Sequence, residues 1–213
     1  MFSLIGPKRY DAPWKDIENQ GYIAPADCVE VRVTLPERER LAYATAEPEA
    51  RYRLCATSDS KSRVVEALIR QHAGEPTLVI GQYLDQLDDL GDRLDAPVLK
   101  GETTVAERQR LFAAFRAGEL PVLVVSKVAN FSIDLPEASI AIQVSGSFGS
   151  RQEEAQRLGR LLRPKQDGRA ARFYAVIARD TLDQDFAAHR QRFLAEQGYA
   201  YRIVDADEVL DPS

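Results

Sequence analysis

The sequence predicts an α/β fold built on a mostly parallel sheet, and three observations carry that prediction. Short apolar runs rich in Val and Ile recur along the chain, each bounded by turn residues, the form of strands buried on both faces. Stretches of helical period separate them. Three of these stretches open on a capping box, in which the first hydroxyl takes the N3 amide and the N3 side chain reaches back: Thr104-x-x-Glu107, Ser150-x-x-Glu153 and Thr181-x-x-Gln184. Strands and helices alternating in this way give a parallel sheet covered by helices.

Taken in order, residues 1–57 read as a lead-in. The stretch GPKRYDAPWKDIENQGYIAP holds three prolines and two glycines and reads as extended. Val29, Val31, Val33 and Leu35 then alternate with Glu30, Arg32 and Thr34, which predicts a half-exposed strand. The α/β unit proper is expected over 58–213. Its strands are Thr77–Gly81, Pro97–Leu99, Leu120–Ser126, Ser139–Val144 and Arg172–Ala178. Its helices run over about 60–73, 82–93, 104–117, 151–163 and 181–197. Gly118 and Gly198 stand where helix ends favour a left-handed residue.

A chain of 213 residues holds one large domain, or one domain with an appendage, and can bury a core without disulfides or metal. The net charge of -5 excludes a globally basic nucleic-acid binder, so any such contact is a local patch. Cys28 and Cys55 stand in no ligand spacing and read as reduced thiols of a cytoplasmic protein. No apolar run is long enough to span a membrane. His72, His189, Arg151, Arg157, Arg190 and Arg192 read as surface residues, and the acidic run Asp85–Asp95 as a solvated helix face.

The most informative stretch is SRQEEAQRLGRLLRPK, Ser150–Lys165. With Gln156 set to zero on a helical wheel, Gly159 falls at about 300°, Arg160 at about 40° and Arg163 at about 340°. Leu158, Leu161 and Leu162 fall on the other side, at about 200°, 140° and 240°. One face thus presents Gln, two Arg and a glycine, and the other packs. A solvated polar face is the bland alternative. Against it, a glycine inside a helix costs roughly 1 kcal/mol relative to alanine. Pro164 also places Arg163 at the helix end, where its side chain can reach outward. The helix follows VSGSFGS, a loop just after a predicted strand, and ligands of open α/β sheets bind at the carboxyl ends of strands.

QRLGRLLR resembles motif VI, Q-x-x-G-R-x-x-R, of superfamily 2 helicases. The longer block VLVVSKVANFSIDLPEASIAIQVSGSFGSRQEEAQRLGRLLRPK is similar to the XPB helicases, down to Ser132 where most of the superfamily has glycine. LKGETTVAERQRLFAAF resembles their motif IVa segment. GYIAPADCVEVRV and HRQRFLAEQGYAY match the flanks, with His189 departing from the usual basic residue. The resemblance covers nearly the whole chain and implies a RecA-like lobe.

It also implies roles. Arg160 and Arg163 are the arginine fingers; Gln156, Gly159 and Asp134 meet the nucleotide or its interface. Gln82, Lys100, Gly101, Thr103, Ser126 and Lys127 are the candidate DNA-backbone contacts. Plainer readings stay open: Thr103 as a helix cap, Gln82 as a helix start, Lys127 as a solvated strand end, Asp134 as a turn former before Pro136. The chain has no G-x-x-x-x-G-K-[ST] and no acidic motif of the D-E-x-H kind. ATP and Mg2+ are therefore expected mainly on a first RecA-like lobe, with residues 1–57 as that lobe's tail and this chain as part of a longer protein, silent alone. The expected whole is a 3′–5′ DNA helicase or translocase of nucleotide-excision repair. Its expected partners are single-stranded or forked DNA, the first lobe and a repair nuclease. The alternatives are another superfamily 2 translocase and a non-catalytic binding module that keeps the fold.

Overall fold

The computed structural model describes residues 26–126, 138–146, 171–196, 199 and 201–211. Among them seven strands form one sheet: β1 (Ala26–Val33), β2 (Thr77–Gly81), β3 (Val98–Leu99), β4 (Val122–Ser126), β5 (Ile140–Gln143), β6 (Ala171–Ala178) and β7 (Tyr201–Asp205). Their order is β3-β4-β2-β5-β6-β1-β7, and every described pairing is parallel. All carboxyl ends therefore emerge along one edge. The helices are α1 (Glu37–Thr45), α2 (Pro48–Ala56), α3 (Asp59–Gln71), α4 (Leu84–Leu94), α5 (Val105–Arg116), α6 (Leu182–Glu196) and α7 (Ala206–Leu210).

The pleat sorts the core into two layers, because successive side chains of a strand point to opposite faces. Leu78, Ile80, Leu123, Val125, Phe173 and Ile177 pack with Leu111, Phe112 and Phe115 of α5 and Phe193 and Leu194 of α6. Val29, Val31, Val79, Val124, Ile142 and Val176 face the other way, onto Val64, Val65 and Leu68 of α3, Leu87 and Leu90 of α4 and Val209 of α7. A small third cluster, Leu35, Cys55 and Ala178 with Tyr43 and Tyr52, seats α1 and α2 at the carboxyl edge of β1 and β6.

The five strands expected after residue 58 are present, with ends moved by a residue or two. Gly118 closes α5 with φ 75°, as its position required. Thr104 caps α5 by accepting from the Glu107 amide at 3.3 Å, but the Glu107 carboxylate turns to Arg110 instead of reaching back. At α6 the box is displaced by one residue. Thr181 Oγ1 accepts from the Asp183 amide, while Gln184 Oε1 takes the Asp180 amide. The helix expected over 151–163, its Ser150 box and Gly198 lie outside the described residues.

Several expectations are corrected. β1 is not half-exposed but an interior strand between β6 and β7. Of its polar residues Glu30 is 1% exposed, met by Arg32 Nε at 2.8 Å and Tyr201 Oη at 2.7 Å, while Arg32 is half-buried and Asp27 exposed. The lead-in expected to end at 57 thus gives a strand and two helices to the α/β unit. Arg190 is fully buried. His72 is buried between Glu75, 2.9 Å from Nδ1, and Tyr174, 2.8 Å from Nε2. Cys28 and Cys55 are both buried.

Candidate functional site at the carboxyl edge of the sheet

A parallel ladder fixes which residues share an edge. Leu99 is level with Val125, Gly81 with Ser126, and Ile80 with Gln143. The chain therefore leaves β3, β4, β2 and β5 side by side, at Lys100, Ser126, Gln82 and Val144. Of the expected DNA contacts, Gln82, Lys100, Gly101, Thr103 and Ser126 are brought to this one edge. Lys127, Asp134, Gln156, Gly159, Arg160 and Arg163 lie outside the described residues.

Gln82 has an exposed side chain, and its amide donates to Ser145 Oγ at 2.9 Å. This bond requires close approach of β2 and the segment after β5. A Cβ on Gly81 would stand 2.7 Å from Leu87 Cδ2, 3.0 Å from Ser145 Oγ and 3.2 Å from Val144 Cγ1. Glycine is therefore the residue that lets Ser145 reach Gln82.

The loop after β3 is a tight turn. The Thr103 amide donates to the Lys100 carbonyl at 3.2 Å, and Thr103 Oγ1 accepts from the Lys100 amide at 2.9 Å. Gly101 and Glu102 are exposed at its apex. Thr103 is thus a turn closer and not the helix cap, a role that Thr104 fills. Lys100 Nζ rests 2.8 Å from the Asp88 carboxylate of α4, and that partner holds the ammonium pKa above its ordinary value. Any phosphate drawing Lys100 away competes with Asp88.

Ser126 differs from the others: it is 2% exposed. Its side chain belongs to the packed end of β4 and does not face outward.

Beside these lie groups that pattern reading missed. Gly146, with φ 127°, donates its amide to Tyr52 Oη at 2.9 Å and accepts from Gln143 Nε2 at 3.1 Å. Burial pushes the Tyr52 phenol well above its usual range, so the hydroxyl is neutral. Lys61 Nζ and Asp183 Oδ2 form a buried ion pair of 2.7 Å, with side chains 0% and 2% exposed, and Asp183 Oδ2 also takes the Ala178 amide at 2.9 Å. The only advance signal was VSGSFGS, flagged as a loop after a strand. Nothing in a single sequence joins Tyr52 to Gly146 or Lys61 to Asp183. Among the described residues, no group of three or more His, Cys, Asp or Glu is placed to hold a metal.

A seven-stranded parallel sheet with the loop after each strand on one edge is the architecture of RecA-like helicase C-terminal domains. The solved C-terminal domain of the DEAD-box protein Dbp5 matches it with a TM-score of 0.64, covering 86% of this chain and 92% of that one, at 16% identity, a likeness of fold. The family described as ERCC3/RAD25/XPB C-terminal helicase matches residues 17–212, and the chain belongs to that family. It is 82% identical over 209 residues to the DNA 3′-5′ helicase XPB of Kineococcus radiotolerans, covering 98% of this chain and 38% of that protein. It is 68% identical over 213 residues to the protein of the same name from Mycobacterium tuberculosis, covering 100% of this chain and 39% of that one. The chain thus spans less than half the length of these relatives.

Proposed function

We propose that this chain is the second RecA-like lobe of an ATP-dependent 3′–5′ DNA helicase or translocase acting in DNA repair. The observation that supports it most is the carboxyl edge itself. Gln82 and the Lys100–Thr103 turn stand there beside the start of the segment that runs through Lys127 and Asp134, and beside Gly146, from which the chain runs to Gln156, Gly159, Arg160 and Arg163. One edge can then serve both a strand of DNA and a nucleotide held across a cleft.

The division of labour follows from the donor set. Phosphoryl transfer is catalysed by positioning and by charge stabilisation. The sequence carries no phosphate-cradling loop. This supports a first lobe as the holder of ATP and Mg2+, which supply the phosphoryl group and its charge neutralisation. Here Arg160 and Arg163 bring positive charge to that group only when the cleft closes, which makes hydrolysis depend on lobe movement. By the family resemblance, Gln156, Gly159 and Asp134 meet the nucleotide or its interface. Contacts to the strand are to phosphates and carry no sequence information. Lys100 and Lys127 are the charged members, and Gly101 and Gln82 offer backbone and amide groups. We read the segment before β1 as the passage from the first lobe, DNA and that lobe as the partners with a repair nuclease beside them, and the location as cytoplasmic. No described helix is long and apolar enough to cross a membrane.

The test compares the chain alone with the chain joined to a first lobe. ATP turnover is expected only from the joined protein, and stimulated by single-stranded DNA. Turnover by the lone chain, or none by the joined protein, contradicts the reading; the second result favours a binding module that keeps the fold.

A further inference from the structure

We infer that the carboxyl ends of β6, β1 and β7 form a second phosphate-binding groove, in which a group of arginines holds the backbone of a DNA strand that crosses the same edge at Gln82 and Lys100. The inference rests on the reading of this chain as a DNA-binding lobe and adds to it residues from α1, α2 and α3 that the candidate site did not use.

Two adjoining hollows of about 240 and 350 Å³ open there. Arg32, Arg63, Thr34, Arg179 and Asp205 line one, and Arg40, Arg51, Tyr43, Thr34 and Arg179 line the other, so Thr34 and Arg179 belong to both. One groove thus gathers five arginines: one each from β1, α1, α2 and α3, and one from the turn after β6.

How these arginines are tied decides what they can meet. Arg32 donates through Nε to Glu30 at 2.8 Å, Arg51 through Nε to the Ala46 carbonyl at 3.0 Å, and Arg63 through Nε to Asp59 at 2.9 Å. In each the inner nitrogen is anchored, and the two terminal nitrogens make no hydrogen bond among the described residues. A guanidinium held at Nε keeps its terminal nitrogens for the paired contact that phosphate oxygens accept. Arg40 is exposed, and its side chain makes no hydrogen bond or ion pair among the described residues. Arg179 reverses the arrangement: a terminal nitrogen meets Asp205, and Nε is buried without a partner. A buried donor left unpaired is costly, and a phosphate oxygen in the groove would relieve it. Asp180 and Asp207 stand exposed on the rim and moderate the hold on any one charge.

Position and spread favour a strand over a compact anion. Neighbouring strands of a sheet lie about 4.8 Å apart, so the edge runs about 14 Å from the exit of β2 to that of β1. The arginines themselves extend over the exits of β6, β1 and β7, about 10 Å. Charges spaced in this way match a repeating backbone better than the clustered phosphates of one nucleotide.

The experiment measures binding of a labelled oligo-dT strand to the two-lobed protein over a range of salt, for Arg40→Ala, Arg63→Ala, the double variant and Arg116→Ala as control. Removing Arg63 leaves Asp59 paired with Arg93, so the fold is kept. Arg116 is exposed at the end of α5, which crosses from the carboxyl edge of β3 to the amino edge of β4, away from the groove. Each groove variant should lower the slope of log affinity against log salt by about 0.7, and the double variant by about 1.4, the loss of one and two phosphate contacts. The KM for ATP and the melting temperature should stay at parental values, and so should the slope for Arg116→Ala. A parental slope in the double variant, while the parent still binds more weakly as salt rises, overturns the inference and leaves the DNA reading standing. An equal loss in Arg116→Ala also overturns it, since net charge would then explain both. A raised KM for ATP with a parental slope assigns the groove to nucleotide phosphates and overturns it. Binding of a poly-glutamate peptide that the double variant loses, again with a parental slope, assigns the groove to an acidic protein and overturns it. Parental binding that ignores salt removes the DNA reading and this inference together.

Discussion

Lys61 and Asp183 form an ion pair of 2.7 Å inside the fold, with both side chains buried. A lone charge in the interior is costly, and breaking a buried pair by removing one partner costs about 3–5 kcal/mol. The Asp183 carboxylate has a second duty, since it takes the Ala178 amide at the end of β6. Replacing both residues by apolar ones would therefore leave that amide unpaired, at about 1–3 kcal/mol. Lys61→Met should lower the unfolding free energy by about 3–5 kcal/mol in a urea titration, and Lys61→Met with Asp183→Leu should recover only part of it. Full recovery in the double variant would show that the Ala178 amide has another acceptor. Neither partner was legible in advance: Lys61 and Asp183 sit in stretches that read as ordinary amphipathic helix, and their contact spans the chain. Arg190 and His72 were misread for the same reason. A polar residue on a helix reads as surface until the partner that buries it is known.

At the scale of elements, β1 shows what periodicity measures. Val29, Val31 and Val33 alternate with Glu30 and Arg32, and the alternation is real, but it reports polarity and not exposure. Glu30 on the polar side is covered and accepts from Tyr201 of the unforeseen β7, while Arg32 stays half-buried. β2, β4, β5 and β6 were legible because strands buried on both faces read as continuous apolar runs. The small elements α1 and β7 escaped because they bury little of their surface: α1 has no buried residue, and β7 is a half-exposed edge strand. α7 carried a signal that went unread, the Asp205-x-x-Glu208 capping box.

The acidic run of α4 is exposed, as expected, but it is also paired. Arg93 reaches Asp59 at 2.6 Å, Asp89 at 2.8 Å and Glu66 at 3.2 Å, tying α4 to α3. Such solvent-facing pairs are worth little each, so Arg93→Ala should cost less than about 1 kcal/mol at neutral pH. Its effect should appear in acid. The Arg93 guanidinium holds the Asp59 carboxyl below its usual range, and Arg53 and Arg110 do the same for Asp85 and Glu107. A carboxyl whose folded pKa is depressed adds stability above its unfolded pKa, about 3.9 for Asp, and that stability is lost as pH falls through the lower folded value. Between about pH 5 and pH 2 the parent should lose more stability than Arg93→Ala, and the two melting curves should converge. Parallel curves would show that Asp59 gains nothing from Arg93.

For the whole molecule, a parallel sheet delivers the loop that follows each strand to one edge, and Gln82, Lys100, Gly101 and Thr103 fall on those loops. That much was legible in the sequence, because the motif block is long and the strands before it are strongly apolar. What stayed hidden is how the loops are held: the Ser145 contact to Gln82, the Thr103 turn and the Tyr52 contact to Gly146 all join residues distant in sequence or too small to signal themselves. Strand binding through phosphates should be steeply salt-dependent, with log affinity falling by about 0.7 per log unit of salt for each phosphate neutralised. Lys100→Ala in the two-lobed protein should lower that slope, and an unchanged slope would leave Lys100 to Asp88 alone. The central claim is that this lobe supplies the charge for hydrolysis and keeps its packing separate from that task. The most direct test measures ATP turnover and thermal melting together for Arg160→Ala and Arg163→Ala in the two-lobed protein. Turnover should fall by about 10³-fold, near 4 kcal/mol of transition-state stabilisation, with nucleotide affinity and melting temperature almost unchanged. Variants that melt early yet hydrolyse ATP at the parental rate would contradict the account, because these arginines would then be structural.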